Sequence, residues 1–184
     1  MPAKVTAKDL DFVRVDERLV DRAISVLDAL KTKGLKVVSA ESCTGGLIAT
    51  VLSEAPGAAE HFEGGFVVYT PEQKFFALKI LPSVIDVYGT VSREVAVAMA
   101  EGALQGSGAD IAIGVTGVAG PETDEKGNPV GLVYFGCARR DAKTTSEKRE
   151  FGDLGRSAIR YAAANEALSI LETHTKTAPV DRRS

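Results

Sequence analysis

The sequence predicts an α/β layered domain with a largely parallel sheet. Short apolar runs of strand length alternate with longer segments whose apolar residues recur at three- and four-residue intervals. This alternation is typical of helices packed against a parallel sheet. The last two strand-like runs are separated by a few charged residues, so they are expected to pair as an antiparallel hairpin.

The first helix is the clearest single element. From Glu17 to Lys33 the apolar residues fall on one helical face, and Gly34 follows as a stop signal. Pro71 suits the first turn of a short helix, and Ser92 is a candidate N-cap for a later one. The same signals predict strands at 35–40, 65–69, 110–115, 130–138 and 144–151, and further helices at 44–54 and 153–173.

Composition indicates one globular domain. The chain has 184 residues, of which 45% are hydrophobic and 26% charged, and its formal net charge is −3. This charge favours neither a nucleic acid nor an anionic membrane as a partner. We expect a mobile N-terminal arm over 1–16, a single domain over 17–174 and a C-terminal tail over 175–184.

The sequence also predicts a cytoplasmic protein without metal or cofactor. No apolar stretch approaches the roughly 20 residues of a membrane-spanning helix, and the N-terminal residues lack an apolar signal core. The two cysteines, Cys43 and Cys137, lie far apart, which favours a reducing compartment over a disulfide framework. Histidine, cysteine and aspartate do not cluster at metal-ligand spacing.

Three predicted strands end in unusual residues. ESCTGG follows the first strand at 41–46, YTPEQK follows the next at 69–74, and GVTGVAGP ends the third at 114–121. Ligands of open α/β sheets bind beyond the carboxyl ends of the strands, so these segments form the candidate site. In the third segment Thr116 and several glycines could face a ligand, or the segment could be a plain turn.

The first segment allows several interpretations. Free N–H groups at the start of the next helix, beside Gly45 and Gly46, could hold a phosphate. Alternatively, Ser42 or Thr44 could simply cap that helix. The GxxxxGK[ST] pattern is missing, which argues against a nucleoside triphosphatase. Glu41 could orient a substrate group, hold a lysine or face solvent.

Ser42 needs a base before it can act as a nucleophile. His61 fits a surface loop and His174 lies near the C-terminal tail, so a Ser-His-Asp triad is not expected. Lys74 could serve if burial lowered its pKa. Cys43 is the rival nucleophile, although a buried cysteine is more often a core residue.

Two arginines of the closing helix complete the candidate residues. Arg156 and Arg160 are four residues apart and therefore share one helical face. They could meet a phosphate or a carboxylate, or they could pair with nearby acids in solvent.

Together these motifs are far more specific than each is alone. AESCTGG, GGFVVYTPEQK, GTVSREVAVAMAEGA, GVTGVAGP and PVGLVYFG occur in that order. They resemble the CinA C-terminal domain family, also known as the nicotinamide-nucleotide amidases of PncC type, from about residue 18 to 173. Longer relatives carry a nucleotide-hydrolysing domain ahead of this one, and only the deamidase part, as a stand-alone domain, is expected here.

The resemblance implies both a fold and a reaction. The fold is a three-layer α/β/α sandwich with a mixed, mostly parallel five-stranded sheet. The reaction is the hydrolysis of nicotinamide mononucleotide to nicotinate mononucleotide and ammonia, a step of pyridine-nucleotide salvage. Ser42 resembles the nucleophile, Lys74 the base and Tyr69 the site tyrosine of a metal-independent serine–lysine amidase. The residues expected to bind the substrate are Glu41, Thr44, Gly45, Gly46, Thr116, Gly117 and Arg156.

One segment departs from the family pattern. After GVTGVAGP the relatives usually continue with a glycine-rich stretch and a lysine, whereas here residues 122–129 read ETDEKGNP. Carboxylates beside the site would repel a phosphate. The alternative function is therefore a catalytically silent nucleotide-binding or regulatory module of the same fold. In both cases the expected partners are a small nucleotide and a second copy in a homodimer.

Overall fold

The computed structural model describes residues 15–178, which form a five-stranded sheet with helices on both faces. The strands are β1 (Val37–Glu41), β2 (Phe62–Val67), β3 (Ile111–Gly117), β4 (Leu132–Arg139) and β5 (Ala142–Glu150). The helices are α1 (Glu17–Lys33), α2 (Leu47–Glu54), α3 (Ala58–His61), α4 (Pro71–Leu78), α5 (Pro82–Tyr88), α6 (Arg93–Gln105) and α7 (Arg156–Thr177). Over residues 15–178, no helix combines the length and hydrophobicity that crossing a bilayer requires.

The sheet is mixed, and its strand order is β2-β1-β3-β4-β5. Strand β1 pairs in parallel with β2 and β3, whereas β3 with β4 and β4 with β5 pair antiparallel. Strand β4 therefore runs against the other four, and the carboxyl ends of β1, β2 and β3 meet at one edge. The mixed, mostly parallel sheet and its closing hairpin are confirmed.

Alternate side chains of the central strands face two different cores. On one side Ile111, Ile113 and Val115 of β3 belong to a buried cluster with α1, α2 and α7. On the other side Ala112 belongs to a second cluster with α4 and α6. Because strand side chains alternate between faces, this pattern produces the expected three-layer α/β/α arrangement.

Helix α6 lies in direct contact with the sheet backbone. A Cβ atom on Gly114 or on Gly136 would overlap the carbonyl oxygen of Ala96, so glycine is required at both positions. At the end of β3 the Thr116 hydroxyl donates to the carbonyl of Thr90 at 2.7 Å. These contacts place the start of α6 beside the carboxyl end of β3.

Two helix signals are matched in the structure. Helix α1 covers the predicted Glu17–Lys33 and ends at Gly34, whose φ of 69° is left-handed. Ser92 Oγ accepts a hydrogen bond from the N–H of Val95 at 3.2 Å and so caps α6. In both cases the local sequence signal was sufficient.

The boundaries of β2 differ from the predicted 65–69. The strand begins at Phe62, where it pairs with Val37, and its ladder with β1 ends at Val67. The next two carbonyls, of Val68 and Tyr69, turn toward a lysine side chain, so these residues do not extend the strand.

The helices also extend beyond the prediction. The short helices α3 and α5 were not predicted, and α7 continues to Thr177, past the expected domain end at 174. Residues 1–14 of the expected mobile arm lie outside the described residues. The arm's last two positions are structured, because Val15 packs against the core and Asp16 caps α1.

Candidate active site

A cavity of about 350 Å³ opens at the edge where β1 and β3 end. All three unusual strand exits contribute to its walls, together with residues just ahead of α6 and the first residue of α7. The sheet topology explains this convergence, because parallel neighbours present their carboxyl ends at the same edge. The lining residues are Ser42, Cys43, Tyr69, Pro71, Lys74, Thr90, Val91, Thr116, Gly117, Val118, Ala119, Gly120, Glu122, Thr123, Asp124, Glu125 and Arg156.

Lys74 and Ser42 meet in the floor of this cavity. Lys74 Nζ lies 3.1 Å from Ser42 Oγ, 2.8 Å from the carbonyl oxygen of Val68 and 3.4 Å from that of Tyr69. Helix α4 places the lysine there: Pro71 is its first residue, so Lys74 lies one turn in and points toward the sheet. The first and second strand exits are thereby joined by a direct contact.

Burial changes the acid–base properties of Lys74. Its side chain has no solvent-exposed surface, and desolvation lowers its pKa from 10.5 to about 8. A neutral amine has two N–H groups and one lone pair. Its N–H groups can donate to the Val68 and Tyr69 carbonyls while the lone pair accepts the Ser42 proton. This arrangement can activate a serine hydroxyl without a histidine.

Cys43 is the next residue after Ser42, and it is the other candidate nucleophile of this turn. Its thiol is almost fully buried, and desolvation raises its pKa to about 12. The thiol therefore stays protonated at neutral pH, and a thiol is a much poorer nucleophile than a thiolate. The contact of Lys74 with the Ser42 hydroxyl, together with the raised pKa of the Cys43 thiol, favours Ser42 over Cys43.

Glu41 does not line the cavity. Its carboxylate is fully buried and accepts hydrogen bonds from the backbone N–H groups of Gly46 (2.9 Å), Ile48 (3.1 Å) and Ala49 (2.8 Å). The Ser39 hydroxyl adds a fourth bond at 3.2 Å. These N–H groups lie at the start of α2, where a bound phosphate was one of the predictions. The Glu41 carboxylate occupies this position instead.

The remaining residues of the first exit shape the turn rather than the cavity wall. Gly45 (φ 60°) and Gly46 (φ 90°) adopt left-handed backbone that lets the chain turn from β1 into α2. Thr44 is fully buried, and within residues 15–178 its hydroxyl has no hydrogen-bond partner. Neither Ser42 nor Thr44 caps α2. Glu41, Thr44, Gly45 and Gly46 were expected to bind the substrate. None of these four residues lines the cavity.

The two arginines of α7 point to different places. Arg156 lines the cavity mouth, and its Nη1 donates to the Tyr69 hydroxyl at 3.4 Å. Tyr69 is 59% exposed, so its hydroxyl is accessible from solvent. Arg160 instead donates from Nε and Nη2 to the carbonyl oxygen of Thr44, at 3.2 and 2.9 Å. Shared helical spacing therefore did not imply a shared role.

An acidic loop forms one side of the cavity. Asp124 accepts bonds from the backbone N–H groups of Lys126 (3.1 Å) and Asn128 (2.8 Å), which closes a tight turn. Lys126 Nζ donates to the Asp86 carbonyl at 3.0 Å and fastens the loop to the end of α5. Glu122 and Glu125 also line the cavity, so its lining combines carboxylates with the guanidinium of Arg156.

The histidines lie away from the cavity. His61 ends α3, and its Nδ1 is 3.0 Å from the Leu35 carbonyl oxygen; the side chain is only 13% exposed, so it is not the surface residue that was expected. His174 Nε2 lies 3.1 Å from the Thr145 hydroxyl. Across residues 15–178 the histidine, cysteine and acidic side chains nowhere form a group of three that could hold a metal ion.

Comparison with known proteins identifies the family. The sequence profile of the CinA C-terminal domain matches residues 20–175. The chain belongs to the CinA C-terminal domain family. It is 41% identical to the nicotinamide-nucleotide amidohydrolase PncC of Enterobacter agglomerans over 150 residues, which cover 81% of this chain and 90% of that protein.

Other members of the CinA C-terminal domain family are longer or are known as structures. A putative competence-damage inducible protein of Caldicellulosiruptor saccharolyticus is 46% identical over 79% of this chain but only 35% of its own length. The crystal structure of the competence/damage inducible protein CihA from Agrobacterium tumefaciens superposes with a TM-score of 0.84 at 36% identity, covering 88% of this chain and 98% of that one.

Part of this candidate site was not predicted by the sequence analysis. Thr90 and Val91 line the cavity just ahead of α6, and Val118 lines it just after β3. The signal that could have found the first two is Ser92, whose role as N-cap places the preceding residues at the sheet edge. The anchoring role of Arg160 had no sequence signal, because it depends on where α7 crosses the turn after β1.

Proposed function

We propose that this protein is an amidohydrolase that converts nicotinamide mononucleotide and water to nicotinate mononucleotide and ammonia. The observation that carries the proposal is the 3.1 Å contact between Lys74 Nζ and Ser42 Oγ at the floor of the cavity. The 41% identity to a nicotinamide-nucleotide amidohydrolase, over 90% of that protein, supports the choice of substrate.

The reaction proceeds in two steps through an ester. Neutral Lys74 accepts the Ser42 proton as Oγ attacks the carboxamide carbon, and the protonated amine then gives a proton to the departing nitrogen. The C–N bond breaks, ammonia leaves and the acyl group remains on Ser42. Lys74 next takes a proton from water, which cleaves the ester, releases the nicotinate carboxyl group and restores the serine hydroxyl.

The substrate is held by groups at the cavity mouth. Arg156 is the exposed cation of the lining, and a guanidinium can bind a phosphate through two N–H groups. We assign the 5′-phosphate to Arg156, with the Tyr69 hydroxyl beside it. The N–H groups that open α2 are bound to Glu41, so the donors for the oxyanion come from other backbone N–H groups of the cavity wall, along Thr116 and Gly117 or beside Ser42.

Ammonia release from nicotinamide mononucleotide, without added metal, tests the proposal. Wild type should turn over, and Ser42→Ala and Lys74→Met should each lose on the order of a thousandfold in kcat. Lys143→Ala, an exposed lysine of β5, is the matched control and should keep full activity. Abolition of activity by Cys43→Ala but not by Ser42→Ala would establish a cysteine amidase instead.

The acidic loop supports a second candidate, a nucleotide-binding module without turnover. Glu122 and Glu125 place negative charge on the wall that a phosphate must pass. On this alternative, wild type releases no ammonia while the nucleotide still raises its melting temperature. Turnover that depends on Ser42 excludes it.

A further inference from the structure

The turn over residues 42–46 carries the nucleophile, and its position depends on few backbone bonds of its own. The Ser42 N–H donates to the Val115 carbonyl at 3.0 Å, and the Ser42 carbonyl accepts from the Gly45 N–H at 3.1 Å. Two left-handed glycines follow each other within the turn. Glycine has the most backbone freedom of any residue, so such a turn needs other contacts to hold one conformation.

Glu41 supplies the first of these contacts from inside the protein. A buried carboxylate is unfavourable unless its oxygens are hydrogen-bonded. Here Oε2 accepts from Gly46 and Ile48, and Oε1 accepts from Ala49 and Ser39. The carboxylate thus ties the end of β1 to the start of α2 and closes the turn between them.

Arg160 supplies the second contact from α7. Its Nε and Nη2 both donate to the Thr44 carbonyl, which also accepts from the Leu47 N–H at 3.3 Å. The guanidinium lies against the turn, because a Cβ on Gly45 would be 3.3 Å from Nη2. Arg160 is absent from the cavity lining, so it meets the backbone and not the ligand.

We propose that Glu41 and Arg160 are positioning residues that hold the nucleophile turn by its backbone, one through its N–H groups and the other through a carbonyl. Together they fix Ser42 Oγ at its distance from Lys74 Nζ. Neither touches the reacting atoms. The inference rests on the proposed function in one respect only, the use of Ser42 as the nucleophile.

Two conservative variants change the hydrogen bonding of these side chains and keep nearly the same side-chain length. Glu41→Gln replaces one acceptor oxygen by an NH₂ group, which then faces N–H donors. Arg160→Lys keeps the charge but cannot offer two N–H groups in the same fork. A displacement of about 1 Å can lower a rate a hundredfold, so we expect kcat to fall ten- to hundredfold in each variant while KM stays within about twofold. Arg160→Ala should lose more than Arg160→Lys.

Arg140→Lys is the matched control for simple destabilisation. Arg140 also donates to backbone carbonyls, those of Ala109 (2.7 Å), Leu104 (3.0 Å) and Ser107 (2.9 Å). These residues precede the start of β3, at the edge of the sheet away from the cavity. This control should lower the melting temperature and leave kcat unchanged. The proposal is overturned if Arg160→Lys lowers kcat no more than Arg140→Lys does. It is also overturned if Arg160→Lys raises KM at constant kcat, because that pattern indicates contact with the substrate.

A second readout does not depend on the choice of substrate. A fluorophosphonate probe phosphonylates an activated serine: Oγ attacks phosphorus, the P–F bond breaks and fluoride leaves. Intact mass spectrometry follows the rate of attachment to Ser42. We expect Glu41→Gln and Arg160→Lys to label ten- to hundredfold more slowly than wild type and Arg140→Lys to label at the wild-type rate. Labelling without ammonia release would refute the nucleotide substrate and still test the positioning role. A wild type that does neither overturns both proposals.

Discussion

Replacing Lys74 by methionine should abolish turnover and at the same time stabilise the fold. The cause is the burial that lowers the pKa of this lysine from 10.5 to about 8. At pH 7 Lys74 is mostly protonated in both the folded and the unfolded chain. The unfavourable burial of its charge therefore lowers the free energy of unfolding by the full difference between the two pKa values. The difference between these two pKa values corresponds to about 3 kcal/mol.

Methionine recovers only part of this amount. It fills nearly the same volume and carries no charge, but it leaves the carbonyls of Val68 and Tyr69 without the lysine donor. Each lost hydrogen bond costs about 1 kcal/mol, so the net gain in the free energy of unfolding at pH 7 should be about 1 kcal/mol. Lys143→Met, on the exposed strand β5, should change stability by less than about 0.5 kcal/mol.

Urea denaturation at several pH values distinguishes this cause from better packing. The folded-state pKa lies below the unfolded one, so between pH 8 and pH 10.5 the unfolded chain binds more protons and wild-type stability rises with pH relative to the variant. The advantage of Lys74→Met should therefore be largest below pH 8 and shrink toward pH 10.5. An advantage that is independent of pH, or a variant less stable than wild type at pH 7, would refute the reasoning.

Four further predictions follow from the geometry. First, roughly a tenth of the Lys74 side chains are neutral at pH 7 and roughly nine tenths at pH 9. The kcat/KM for nicotinamide mononucleotide should therefore rise about tenfold between these pH values, with an apparent pKa of about 8. A kcat/KM that does not change with pH would contradict a lysine base. Second, the double variant Glu122→Gln, Glu125→Gln should lower KM for this substrate about two- to tenfold at low salt and less at high salt, whereas Glu54→Gln should not change it. Third, Arg156→Ala should raise KM at least tenfold for the nucleotide and leave nicotinamide riboside, which lacks the phosphate, unaffected; equal loss for both substrates would remove the phosphate role. Fourth, Gly114→Ala should lower the free energy of unfolding by about 3 kcal/mol or more, measured by denaturant titration, because the new methyl group meets the α6 backbone.

The location of the cavity that forms the candidate site could be predicted from the sequence because it depends on topology. Parallel strands present their carboxyl ends together, so the residues after β1, β2 and β3 had to converge. The approach of Lys74 to Ser42 followed from the same rule. The full burial of Lys74 did not, because a lysine in the first turns of a short helix is usually solvated and only the packing of α4 against the sheet decides otherwise.

The roles of the charged residues around the turn depended on tertiary structure. The ESCTGG motif does not indicate that the Glu41 carboxylate accepts hydrogen bonds from backbone N–H groups up to Ala49, eight residues later. Arg156 and Arg160 share a helical face, yet a rise of four residues, about 6 Å, separates a side chain at the cavity from one at the Thr44 carbonyl. Sequence spacing predicts which residues share a helical face. It does not predict which of them lies beside a given neighbouring segment, because that depends on how the helix packs.

The contact between α6 and the sheet has a consequence for the tolerance of this protein to sequence change. At Gly114 and Gly136 the backbone of α6 lies so close to the sheet that a Cβ atom at either position would overlap the Ala96 carbonyl oxygen. Thr90 and Val91, which line the cavity, lie directly ahead of this helix. We therefore expect a larger residue at Gly114 or Gly136 to push α6 away from the sheet and to change the shape of the cavity that Thr90 and Val91 line.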